Sequence, residues 1–120
     1  MGNERRLHAR AIVRLAAELR KDRTSEWQDV LLHDLSAGGA CVHAGMPLAG
    51  GSEVGLRIRL PATESAEAVT IELSALMVRS GTTAPPDLSR PYLYGLHFLD
   101  LHGDAFDRVG RYVWNLLHAS

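Results

Sequence analysis

Apolar and polar positions alternate through most of this chain, and that alternation predicts strands. From Ala11 to Lys21 the odd positions read Ala, Val, Leu, Ala, Leu, Lys, while the even ones carry Arg14, Glu18 and Arg20, interrupted by Ile12 and Ala16. A strand with one buried face accounts for this, with helix as the competing reading because Arg, Leu, Ala and Glu all favour it. A turn is expected at Asp22-Arg23-Thr24-Ser25, since these are turn-forming residues. Trp27 to Leu35 reads as a second strand and Ala40 to His43 as a short third. Gly45, Pro47, Gly50 and Gly51 make 45–52 a loop. The cleanest strand follows, with Val54, Leu56, Ile58 and Leu60 alternating with Glu53, Gly55, Arg57 and Arg59. Val69, Ile71, Leu73, Ala75 and Met77 give another, expected to end at Arg79. Residues 80–91 hold three prolines and read as an exposed loop. Tyr92, Tyr94, Leu96 and Phe98 mark a last strand, with Gly95 inside it.

After Leu99 the period lengthens. Phe106, Val109, Val113, Leu116 and Leu117 recur at helical spacing, flanked by Tyr112 and Trp114. Asp104 falls where an N-cap or a first-turn acid is useful. Trp114 stands beside the stripe, so it either packs or projects towards a partner. About six short strands and then one helix predict a mainly β fold, a small antiparallel barrel whose closure removes exposed edges.

Composition changes this picture little. A chain of 120 residues predicts one domain with a core of its own. No apolar run reaches the roughly 18 to 20 residues a membrane span requires, and the first residues lead into no signal-like apolar stretch. The single cysteine, Cys41, forms no internal disulfide, which fits a reducing cytoplasm. The net charge of -1 argues against a general nucleic-acid binder. Charge is local rather than global: Arg5, Arg6, Arg10 and Arg14 all lie near the start, and Lys21 is the sole lysine.

Two short signatures carry the chemistry. Arg5-Arg6-Leu7-His8-Ala9-Arg10 is an RxxxR preceded by a further arginine, and Asp34-Leu35-Ser36-Ala37-Gly38-Gly39 reads DxSxxG. An arginine fork grips phosphate or bonds guanine O6 and N7 together. An aspartate accepts from polarised N–H pairs, a serine hydroxyl is small and adaptable, and glycine permits positive φ or close approach. Alone, the arginines read as a solvated terminus and the second signature as an ordinary hairpin turn. Arg79, late on a strand, reads first as a solvated strand-end arginine and second as a ligand contact.

In this order the pair resembles the PilZ domain, a bacterial receptor module for the second messenger cyclic di-GMP. Tyr94-Gly95-Leu96-His97-Phe98-Leu99-Asp100 is similar to the family's last strand, so the likeness runs from about Glu4 to Leu117. It implies a six-stranded antiparallel PilZ-type β-barrel with a C-terminal α-helix, as a single domain over 1–120. Residues 1–10 would be a flexible ligand-binding switch, 11–100 the barrel and 103–118 the helix. It further implies that Arg6 and Arg10 clasp the nucleotide, while Asp34, Ser36 and Gly39 form the barrel half of the site, with Gly38 serving the same turn. Arg5 before RxxxR tends in the family to accompany an intercalated cyclic di-GMP dimer. The implied protein is a non-catalytic, cytoplasmic receptor that needs no cofactor and signals to a downstream protein.

Competing readings are weaker. A nucleotide-independent PilZ-fold adaptor would characteristically lack one or both signatures. A nucleic-acid-binding barrel conflicts with the near-neutral charge. Six histidines invite a metal, but none stands in a recognised zinc spacing. Ser36 with His33 and Asp34 lacks the GxSxG elbow of a hydrolase nucleophile, so catalysis is not expected.

Overall fold

A computed structural model describes residues 11–63, 67–82 and 89–118, except the side chains of Ile12, Arg14 and Thr82. Six strands precede one helix: β1 Ala11–Arg20, β2 Gln28–Leu35, β3 Gly39–Ala44, β4 Glu53–Leu60, β5 Val69–Thr82, β6 Tyr92–Phe98 and α1 Gly103–Leu117. The strands close into an antiparallel barrel in the order β1-β2-β3-β6-β5-β4. Closure pairs β1 with β4, Ala17 opposite Ile58 and Arg20 opposite Gly55, and so leaves no barrel edge unpaired.

The alternation read from the sequence becomes the inside and outside of the barrel. Val54, Leu56, Ile58 and Leu60 point inward, as do Ile71, Leu73, Ala75 and Met77. Segment 11–20 is a strand despite its helix propensity, because both neighbours pair with it. Its register with β2 shifts between Ile12 and Leu15, as at a β-bulge, and Ala16 is simply an exposed apolar residue on the outer face.

The segment after Arg79 differs from expectation. β5 continues to Thr82, with Ser80 opposite Tyr94, Gly81 opposite Leu93 and Thr82 opposite Tyr92. Turn-prone residues are held extended there because β6 supplies their backbone partners, and residues 83–88 lie outside the described segments.

Helix α1 lays Val109 and Val113 on the barrel core, and Arg108 Nη2 donates to the Glu67 carbonyl at 2.9 Å. Asp104 occupies the first turn, not the cap. The cap residue is His102, which makes no side-chain capping bond. Trp114 is 58% exposed and stacks on His118 at 3.9 Å between ring centroids.

Tyr94 fastens the β3–β4 loop from inside. Its buried hydroxyl donates to the Met46 carbonyl at 2.8 Å and accepts from the Leu48 N–H at 2.9 Å. Burial pushes its phenol above the ordinary tyrosine range. Tyr94→Phe strands both backbone groups and is expected to cost about 1–3 kcal/mol of stability, readable as a lower urea midpoint with an unchanged slope.

Candidate functional site

The DxSxxG signature spans the end of β2, the β2–β3 turn and the start of β3. Ser36 is 2% exposed, and it organises the turn. Its N–H donates to the Gly39 carbonyl at 2.9 Å. Its hydroxyl accepts from the N–H groups of Gly38 and Gly39, at 3.2 and 3.1 Å, and lies 3.2 Å from the Gly39 carbonyl as donor. The hydroxyl is therefore engaged within the turn. A serine suits this place because one hydroxyl can satisfy two backbone donors and one acceptor.

Gly39 also has a different reason from the one expected. Among the described residues only Gly51 and Gly103 have positive φ. Gly39 instead sits opposite His97, where any Cβ would run into the Leu96 carbonyl oxygen of β6. Close approach does matter here, but it is the approach of a neighbouring strand. The Gly38 carbonyl takes the Phe98 N–H at 3.0 Å, which ties the turn to β6 as well.

Asp34 stands on the outer side of the barrel, half-buried. Its Oδ1 accepts from the Cys41 N–H at 3.2 Å, across the register shift between Leu32 and Asp34. That bond fixes the carboxylate on the surface beside the turn. The bulge also turns His33 outward, where its ring meets His43 edge-on at 5.1 Å. His33 thus faces away from the buried Ser36 hydroxyl.

Arg5, Arg6 and Arg10 lie outside the described residues. What is described is where β1 begins: Ala11 is opposite Leu35 and Ile12 opposite Asp34. The start of β1 therefore lies beside the DxSxxG turn. No sequence periodicity could have given this register, which is a long-range choice.

The outer face next to Asp34 is a row of cross-strand neighbours: Asp34 opposite Cys41, Cys41 opposite Gly95, and Gly95 opposite Arg79. Sequence reasoning missed Cys41 and Gly95. The alternation itself already places 41 and 95 on outer positions of their strands, whereas 79 falls in phase with the inward residues of β5 and reaches the outer face only through the register shift between Met77 and Arg79. In the last-strand signature, Asp100 Oδ1 accepts from the Ser74 N–H at 2.7 Å, so its acid serves the fold.

Comparison with known proteins agrees with this geometry. A family model described as the PilZ domain matches residues 4–114. No curated protein matches the sequence. Among solved structures, the Bacillus subtilis inhibitor of motility MotI/DgrA superposes with a TM-score of 0.79 at 23% identity, over 97% of this chain. This chain spans 54% of that protein's length. The PilZ domain of YcgR from Escherichia coli, solved with c-di-GMP, matches at TM-score 0.69 and 16% identity, covering 94% of this chain and 92% of that one. The PilZ domain of CeSA from a cellulose-synthesizing bacterium matches at 0.64 and 22% identity, covering 92% and 99%.

Proposed function

Because the chain belongs to the PilZ domain family, we propose that it is a receptor for cyclic di-GMP. The observation that carries this reading is the β1–β2 register, which puts the residue after Arg10 opposite Leu35. In this reading the arginine signature meets the second signature at one point on the barrel surface. The YcgR domain from Escherichia coli, which shares the fold, was solved with c-di-GMP.

In this reading Arg6 and Arg10 neutralise the two phosphates and hold guanine edges, as planar forks do. Asp34, oriented by the Cys41 N–H, accepts from guanine N1–H and the N2 amine. Ser36, Gly38 and Gly39 act through shape, holding the turn that presents Asp34. Arg5 adds positive charge suited to a second, intercalated ligand molecule. Binding draws 1–10 onto the outer side of β2 and β3, and the altered surface is what a downstream protein recognises. The chemistry is recognition only and calls for no metal or cofactor.

Isothermal titration of the folded protein with cyclic di-GMP, beside cyclic di-AMP, tests the proposal. Heat is expected with the guanine ligand, at a stoichiometry of one or two. Adenine lacks O6, N1–H and the N2 amine, so cyclic di-AMP should neither bind nor compete. No heat from folded protein with cyclic di-GMP would sink the receptor reading and leave the adaptor in its place.

A further inference from the structure

The row that starts at Asp34 ends on an arginine outside both signatures. Arg79 is at the register shift between Met77 and Arg79 in β5, opposite Gly95 of β6. Its side chain is exposed and folds back over Gly95. Measured from the point where a Gly95 Cβ would stand, Arg79 Nε is 3.3 Å away, its Cβ 3.5 Å and its Nη2 3.7 Å. The missing side chain of Gly95 is the seat in which the guanidinium rests.

Other arginines of the barrel are employed in the fold. Arg57 and Arg59 pair with Glu18, and Arg57 also with Glu72. Arg20 and Arg57 lie on Trp27. The Arg79 side chain makes no ion pair or hydrogen bond among the described residues, so its five donors have no work in the fold. By lying over β6, its guanidinium stands about two strand spacings from Asp34, roughly 10 Å, with Cys41 between them. A cyclic dinucleotide held at Asp34 can bridge that distance along the outer face.

We propose that Arg79, seated on Gly95, is a further ligand-binding residue that grips the phosphate or guanine edge of cyclic di-GMP at the end of the site remote from Ser36. This rests on the receptor reading above. It is carried by a barrel strand, so its donors are placed before the ligand arrives and little ordering entropy is lost in using them.

The test is titration of cyclic di-GMP into the native chain, Arg79→Ala, Gly95→Val and the double variant, each first checked for native melting. Arg79→Ala is expected to raise Kd about tenfold. Gly95→Val fills the seat, displaces the guanidinium and should raise it by a similar factor. The double variant should bind no more weakly than Arg79→Ala alone, because both changes act through one group. Native binding with Arg79→Ala within twofold of it overturns the role of Arg79 and leaves the receptor reading intact. Additive losses overturn the role of Gly95 as its seat. Absence of binding by the native chain overturns both readings together.

Discussion

Replacing Arg6 and Arg10 together by alanine is expected to weaken cyclic di-GMP binding by about two to four orders of magnitude. Each charge-assisted contact contributes roughly 1.5 to 3 kcal/mol, and a tenfold change in Kd is about 1.4 kcal/mol. The ligand is a dianion, so removing both forks leaves its phosphates uncompensated by the terminus. Both residues precede Ala11, the first residue of β1. The melting temperature of the unliganded variant should therefore match that of the native chain. Replacement by lysine instead separates charge from geometry: a point charge restores part of the phosphate attraction but not the bidentate grip on guanine. Binding of the double alanine variant within tenfold of native would remove the N-terminal signature from the site.

Gly39→Val is expected to destabilise the fold by about 3 kcal/mol or more, with ligand binding lost as a consequence. The clash begins at the first carbon, and its partner is the Leu96 carbonyl oxygen, a backbone atom of a barrel strand. No rotamer change relieves it. Moving β3 away from β6 would disturb the pairs Gly39–His97 and Ala40–Leu96 and the Phe98 N–H bond to Gly38. Gly39→Ala carries the same Cβ and should be nearly as severe. Gly50→Ala is the control, because a Cβ there meets nothing within 4 Å. Urea unfolding of the three variants checks the ordering. A mild Gly39→Ala would mean that β3 and β6 adjust more easily than a closed barrel permits.

These two expectations come from opposite kinds of information. The arginine pair is legible in the sequence because its meaning lies in residue types and short spacing: a fork, a gap of three, a second fork. Its counterpart, Asp34-Leu35-Ser36-Ala37-Gly38-Gly39, is legible for the same reason. What each residue does within that turn is not. Ser36 reads as a ligand contact, and its burial and three backbone bonds add a part in building the turn that spacing alone does not show. Gly39 reads as a residue for positive φ or for close approach, and only β6 lying against it shows a close approach, that of a neighbouring strand.

The sequence by itself determined the strand and helix periods, the buried face of each strand and the two chemical signatures. Those properties are local, since a side chain's hydrophobicity and its place in a period of two or 3.6 do not depend on distant residues. Tertiary structure decided which strands meet and in what register. It set Ala11 against Leu35, extended β5 through Ser80, Gly81 and Thr82 along β6, and laid Arg79 across Gly95. Pairing is a choice among distant partners, made by closing the barrel so that backbone groups bond and apolar faces are covered at once. Periodicity says which way a residue points, and only the closed sheet says what it points beside.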